Sequence, residues 1–328
     1  MKGSRQDILD WAEQGRIAAP NVVAALRVVG TLPDPADWRR FVDRLLLWGG
    51  ATLCAAGLIF FLAYNWQDLG KFAKFGLAEA LLAVSVVVSF RGGGESPASK
   101  AALFAAALVT GALFALFGQT YQTGADTFEL FAAWALAILP WALVSRSPLL
   151  WLLCLALGNL AIYYYFHADL SVIGFLLNFE RQFWALIFFN AAALAIWEYA
   201  AGKFQPRLHA SWAMRIIAAA CGLSVTWFCM MTILSSARST TPLVYLTYLA
   251  WLVISFVYYR YKRFDLFIIS GQILSLVLIV ATFMVDALFK MSIIDDAFGS
   301  LVIGAVVICL SAAGGVWLKH LAKIGGKV

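Results

Sequence analysis

Residues 266–285 read LFIISGQILSLVLIVATFMV, a run of twenty positions without one charged side chain. The hydrocarbon core of a bilayer is about 30 Å thick, and a helix of about 20 apolar residues crosses it. The run is apolar on every side of a helix, whereas a helix on the surface of a soluble domain carries a polar face. The stretch is therefore predicted to be a membrane-spanning helix.

The same pattern recurs along the whole chain. Of its 328 residues 63% are hydrophobic and 13% are charged, against about 25% charged in soluble domains. Backbone polar groups cannot stay unpaired in lipid, so only helices or closed barrels cross it, and these runs are too long and too uniformly apolar for barrel strands. The predicted fold is all-α, a polytopic helical membrane bundle of about ten transmembrane helices. The predicted spans are 45–64, 72–90, 101–118, 130–145, 149–166, 183–200, 216–234, 243–259, 265–285 and 298–318.

Basic residues are distributed unevenly between the loops. If the N-terminus is inside, the outer loops hold five of the 24 Lys and Arg residues and the inner segments hold the other 19. The outer five are Lys71, Lys74, Arg181, Arg238 and Lys290. Cytoplasmic loops of membrane proteins carry an excess of Lys and Arg, so both termini are predicted to be cytoplasmic. This orientation explains the net charge of +6, and no nucleic-acid partner is expected.

Residues 1–44 are more polar than the rest and are predicted to form a cytoplasmic amphipathic helical segment. Gly15 is a helix stop, a second short helix begins near Pro20 and ends at Gly30, and Asp34 caps a helix that leads into the first span. Two roles remain open for this segment. It is a module resting on the membrane surface, or a tail that only helps insertion.

Two polar segments are predicted to emerge together on the outer side, AYNWQDLGKFAKFGLAE (63–79) and GQTYQTGADTFELF (118–131). Each carries more amides, hydroxyls and charges than a turn needs. They predict one polar pocket, formed by the first four spans, that binds a ligand or supports the bundle. Its candidate residues are Asn65, Trp66, Gln67, Asp68, Lys74 and Glu79 from the first segment and Gln119, Tyr121, Gln122, Asp126 and Glu129 from the second.

Glu79 lies about 10 Å into the second span, counted from Phe72 at about 1.5 Å per residue. An ionised carboxylate is costly inside a membrane and usually faces a partner, a cavity or a proton path. Two interpretations stay open: a hydrogen bond to Gln119, Tyr121 or a serine that locks the bundle, or a role in transport or ligand binding. The membrane amides Asn159, Asn190 and Gln272 are predicted to hydrogen-bond between helices.

Three strings carry a family resemblance: WGG (48–50), FFLAYNWQDLGKFAKFGLAE (60–79) and GQTYQTGADTFELFAAWALAILPW (118–141). Over about residues 5–150 the chain resembles the uncharacterised bacterial membrane proteins grouped as domain of unknown function 2157. The resemblance implies a multi-span protein of a bacterial inner membrane and no settled activity. We divide the chain into the segment 1–44, a first four-helix membrane unit 45–150 that carries the motifs, and a second unit 151–328 of about six helices.

The sequence contains no recognisable catalytic set. It has no HExxH and no CxxC, its three histidines lie in or beside loops or tails, and its five cysteines lie within predicted spans. A nucleophile, base and oxyanion-stabilising set is what an enzyme would need, and cysteine in this pattern supports neither metal nor disulfide chemistry. We therefore expect no enzyme activity, no catalytic residue, no metal and no cofactor.

Two classes of function remain. The first is transport or translocation of a small molecule, ion or lipid through the outer pocket. The alternative is a non-catalytic scaffold or sensor that binds a partner protein, an envelope ligand or a second copy of the chain. A water-wide cavity reaching Glu79 would favour transport, whereas a solid bundle with an apolar lateral groove would favour lipid or partner binding.

Overall fold

The computed structural model of the chain describes residues 5–30, 32, 34–65, 67–94, 96–145, 147–168, 172–203, 211–235, 241–291 and 296–325. Within these ranges the chain forms twelve α-helices and no strand. The predicted all-α class is confirmed.

Ten of the helices are long and apolar enough to cross a membrane, and each overlaps one predicted span. The ten-span prediction is therefore confirmed in number and place. The helices are α3 (Pro35–Tyr64), α4 (Lys71–Arg91), α5 (Pro97–Tyr121), α6 (Thr127–Ser145), α7 (Pro148–His167), α8 (Val172–Lys203), α9 (Ser211–Ser235), α10 (Thr241–Val257), α11 (Leu266–Met291) and α12 (Asp296–Gly325), preceded by α1 (Arg5–Glu13) and α2 (Val22–Val28).

The N-terminal helices begin and end where the sequence indicates. Gly15 and Gly30 adopt φ of +68° and +74° just beyond α1 and α2, the left-handed conformation that ends helices. The backbone N–H of Asp34 donates to the Asp37 carboxylate at 3.1 Å, and the reciprocal bond completes a capping box at the start of α3. From there α3 continues without a break for 30 residues, about 45 Å at 1.5 Å per residue.

The chain divides into two compact units, Met1–Tyr121 and Gln122–Val328. The boundary at residue 150, drawn from the family motifs, stays a prediction about sequence organisation. In the first unit α5 packs against both α3 and α4, around the buried side chains of Ala55, Ala78 and Val109. Small side chains at this contact let the helix backbones approach closely.

In the second unit α9 is the central helix. It packs against α7, α8, α10 and α11, and half of its most apolar stretch is buried. One cluster of buried side chains surrounds Met214 and Ile269, and another surrounds Phe228 and Tyr248. Among the described helices α12 packs mainly against α11, with the Trp317 ring 6.1 Å from that of Phe256 on α10. None of the most apolar stretch of α12 is buried.

The segment before the sixth span differs from its expected form. The segment 167–182 between the fifth and sixth predicted spans is too apolar for an ordinary loop and predicts a helix lying at the interface, but α8 begins at Val172 and runs for 32 residues. Such a helix is about 48 Å long at 1.5 Å per residue. Residues 172–182 therefore continue without a break into the candidate span Glu180–Ala200.

Candidate functional site

The predicted site residues at the end of α3 serve that helix end. The Asn65 side-chain Nδ2 donates to the Phe61 carbonyl at 2.9 Å, and the Asn65 backbone N–H donates to the same oxygen at 3.1 Å. Gln67 and Asp68 lie exposed in the following turn. Trp66 lies outside the described residues. Asn65 thus closes the last turn of α3 and gives the Phe61 carbonyl a second donor.

The two charged candidates on α4 lie in opposite environments. Lys74 is 7% exposed, so the packed interior of the first unit covers most of its side chain. Glu79 is exposed on α4, and the described part of the chain provides it with no hydrogen bond or ion pair. The predicted hydrogen bond that would lock Glu79 to Gln119 or Tyr121 is therefore not formed among these residues.

The second predicted segment is split between the two units. Tyr121 ends α5 and its ring lies 6.1 Å from that of Phe75 on α4, so the first unit brings Gln119 and Tyr121 to the end that carries the turn after α3. Gln122, with φ of +43°, opens the second unit. There the backbone N–H of Asp126 donates to Glu129 Oε2 at 3.2 Å.

Asp126 and Glu129 therefore help to cap the start of α6. The Asp126 backbone N–H and one Glu129 carboxylate oxygen are engaged in this hydrogen bond. Both side chains are exposed. The single pocket that joins the two segments stays a prediction.

Sequence analysis missed an ion pair at the start of α9 and α11. Arg215 Nε donates to both carboxylate oxygens of Asp265, at 3.2 and 3.0 Å. Asp265 also accepts the backbone N–H of Phe267 at 3.0 Å and that of Ile268 at 3.3 Å. The carboxylate thus caps α11 and ties it to α9. Its sequence signal is an acidic residue at the first position of the predicted span 265–285.

A second missed cluster joins α8 to the end of α10. Glu198 accepts hydrogen bonds from the hydroxyls of Tyr258 at 3.2 Å and Tyr259 at 3.1 Å, and it pairs with Arg263 Nη1. One π-helical turn, Tyr258–Lys262, follows α10 and carries both tyrosines. Three donors thus bind one carboxylate through charge-assisted hydrogen bonds. The cluster therefore holds α8 against the end of α10.

Polar side chains inside the second unit pair with one another. Asn159 and Asn190 exchange hydrogen bonds, Nδ2 to Oδ1, at 3.1 and 2.7 Å. The Ser275 hydroxyl lies 2.7 Å from that of Thr226 and 3.1 Å from that of Tyr248. The amides confirm the predicted role between helices.

Gln272 is the exception among these buried groups. Its Nε2 donates to the Ser255 hydroxyl, and Ser255 in turn donates to the Trp251 carbonyl at 2.6 Å. Gln272 is 4% exposed, yet its Oε1 has no hydrogen-bond partner among the described residues. A buried acceptor without a partner costs about 1–3 kcal/mol, so this atom weakens the local packing.

Gln272 lines a groove between α9, α10 and α11. The groove has a volume of about 310 Å³ and a mainly apolar lining. Trp251 of α10 forms its back wall, packed so closely that a Cβ on Gly222 would lie 2.9 Å from the indole. The rim residues Leu223 and Leu274 are 69% and 60% exposed. The groove therefore opens sideways, on the surface that a membrane-spanning helix presents to lipid.

The remaining lining residues are small or apolar. They are Ala218, Ala219, Thr226, Phe267, Ile268, Ser270, Gly271, Ser275 and Leu278. Among the residues that the structure describes, no three His, Cys, Asp or Glu side chains gather as metal ligands. The arrangement can hold an elongated apolar molecule.

Comparison with known families agrees with the motifs. Residues 9–151 match the family described as "Predicted membrane protein (DUF2157)", which confirms the resemblance. The matched range contains both polar segments and ends before α8. The groove helices α9 to α11 therefore lie outside it. No curated protein and no solved structure matches the chain.

Proposed function

We propose that this protein is a non-catalytic lipid-binding protein of the bacterial inner membrane, whose second unit holds a lipid chain in the groove between α9, α10 and α11. The observation that carries the proposal is the groove itself. Ligand pockets have volumes of about 300–1,000 Å³ and mostly apolar linings, and about 310 Å³ lies at the small end of that range.

The position of the groove supports a lipid as the occupant. All three helices are candidate membrane spans, so acyl chains are the molecules that surround them. Leu223 and Leu274 keep the rim open on the outer surface of the unit. A chain that enters from the bilayer would replace poor packing in the groove with contacts to Trp251, Phe267 and Leu278.

The proposed topology places both termini in the cytoplasm. An even number of spans and the basic residues of the inner segments support it. In this orientation the Arg215–Asp265 pair lies at the cytoplasmic end of the groove helices. The groove then extends from the cytoplasmic leaflet toward the bilayer middle.

The groove also bears on the two function classes expected from the sequence. A lateral apolar groove favours lipid or partner binding over a solute path, and Glu79 lies exposed on α4. Transport of a lipid and sensing of a lipid both require a bound lipid first. Lipid binding is therefore the step that lipid transport and lipid sensing share.

Filling the groove tests the proposal. A Cβ on Gly271 meets no atom within 4 Å, and Gly271 belongs to the lining, so Gly271→Leu adds bulk at the groove. Gly315→Leu is the matched control, because Gly315 on α12 is equally open and is not part of the lining. Both variants and the wild type are purified in mild detergent, and retained lipid is counted by native mass spectrometry.

We expect the wild type and Gly315→Leu to retain one lipid and Gly271→Leu to lose it by about tenfold, the change that about 1.4 kcal/mol of lost contact produces. Equal retention by all three proteins would contradict the proposal. A wild type that retains no lipid would contradict it as well.

A further inference from the structure

We infer that the groove selects a phospholipid with an anionic headgroup, and that Arg215 binds its phosphate. The inference rests on the proposed lipid binding and adds the chemistry of the ligand. Two observations support it. Arg215 is the more exposed member of the Arg215–Asp265 pair, and its guanidinium lies close to a residue of the groove lining.

The ion pair leaves most of the guanidinium unused. A guanidinium has five N–H donors, and the hydrogen bonds to Asp265 come from Nε alone. The side chain of Arg215 is 41% exposed, whereas that of Asp265 is 8% exposed. The part of the pair that faces outward is therefore the positively charged edge with the two Nη groups.

Asp265 does not compete for this edge. Its carboxylate accepts the Arg215 Nε and the backbone N–H groups of Phe267 and Ile268. The acid is thus engaged at the first turn of α11, and its negative charge faces into the protein. The Nη edge matches the oxygen spacing of a phosphate, which arginine binds with two parallel hydrogen bonds.

The cation lies at one end of the groove. The Arg215 guanidinium carbon is 5.7 Å from the centroid of the Phe267 ring, and Phe267 lines the groove. Along α11 the lining continues to Leu278, about 16 Å farther at 1.5 Å per residue. A phosphate on Arg215 would therefore place the attached acyl chain along the lining. Basic pockets between spanning helices at the cytoplasmic side bind anionic headgroups in this way.

The test compares two substitutions that break the same ion pair. Wild type, Arg215→Gln and Asp265→Asn are placed in nanodiscs of equal parts phosphatidylglycerol and phosphatidylcholine, then extracted in mild detergent. Native mass spectrometry measures the ratio of the two lipids retained. Both lipids carry a phosphate, but the choline of phosphatidylcholine adds a cation beside it that Arg215 repels. We therefore expect the wild type to favour phosphatidylglycerol by about tenfold.

The two variants should diverge. Arg215→Gln is expected to lower the ratio to near one, whereas Asp265→Asn keeps the cation and is expected to preserve the ratio or raise it. Equal loss in both variants would mean that the pair only supports the fold, and an unchanged ratio in Arg215→Gln would exclude Arg215 as the phosphate ligand. Either result overturns the inference.

A measurement on the wild type alone covers the case in which a variant does not fold. Salt screens exposed charges, so the preference for phosphatidylglycerol should decrease as the salt concentration in the nanodisc sample rises. A preference that is constant with salt would contradict the inference. Equal retention of both lipids at a site sensitive to Gly271→Leu would overturn the inference and leave the proposed lipid binding in place, whereas no retained lipid would overturn both.

Discussion

At the scale of single residues, the second unit depends on polar side chains that satisfy one another. Asn190 is 0% exposed, and its Nδ2 donates both to Asn159 and to the Leu186 carbonyl at 2.9 Å. Asn159 Nδ2 likewise donates to the Leu155 carbonyl at 2.8 Å. Each amide thus binds its own helix and the neighbouring one. Either amide alone would leave buried polar atoms without a partner.

Replacing these two residues singly and together gives a measurable coupling. We expect Asn159→Leu and Asn190→Leu each to destabilise the protein by about 1 kcal/mol or more, because each leaves the other amide unpaired in an apolar surrounding. The double variant should lose less than the sum, with a coupling of about 1 kcal/mol. The free energy of unfolding of each variant is measured in mixed detergent micelles. Losses that simply add in the double variant would contradict the paired hydrogen bonds between Asn159 and Asn190.

At the scale of helices, two glycines near the groove have opposite surroundings. A Cβ on Gly222 would lie 2.9 Å from Trp251, whereas a Cβ on Gly271 would meet nothing within 4 Å. Gly222 is therefore needed where α9 meets α10. Gly271 leaves open space beside α11.

Alanine at each glycine should separate these roles. We expect Gly222→Ala to destabilise the protein by about 1–3 kcal/mol through overpacking against Trp251. Gly271→Ala should be neutral or stabilise by up to about 1 kcal/mol, because alanine favours a helix and has room. Thermal unfolding in detergent compares them. Equal effects would show that Trp251 moves aside at little cost.

The helices could be predicted from sequence much better than their contacts. Spans such as 266–285 are long and uniformly apolar, and Gly15, Gly30 and Asp34 are local signals of helix ends. The Arg215–Asp265 pair joins residues 50 positions apart, and no local pattern shows that α9 and α11 are neighbours. The groove was not predictable for the same reason, since its lining is apolar and small like most of the chain.

The predicted site shows a second limit of sequence reasoning. Asn65 and Glu129 carry the polar groups that a ligand pocket would need, yet the structure uses them at helix ends. A capping amide or carboxylate and a ligand-binding one have the same donors and acceptors. Only the three-dimensional structure shows whether such a group caps a helix or faces a ligand.

At the scale of the whole molecule, the topology determines which leaflet the groove faces. After replacement of the five native cysteines, single cysteines are placed at Gln67, Gln122 and Arg91. A maleimide that does not cross membranes should label the first two in intact cells, and the third only after permeabilisation. These are the sides that the positive-inside rule assigns.

Labelling of Gln67 and Gln122 from opposite sides would remove the predicted outer pocket. Labelling of Arg91 in intact cells would reverse the orientation. It would also move the proposed phosphate site to the outer leaflet.

The uninterrupted α3 has a mechanical consequence for the first unit. Its first ten residues, Pro35–Arg44, include five charged side chains and continue directly into the apolar stretch 45–64. A continuous α-helix transmits rotation and tilt because every turn is hydrogen-bonded to the next. A rotation or tilt imposed on the first turns of α3, for example by a docking protein, would therefore pass along the same helix into the bilayer interior.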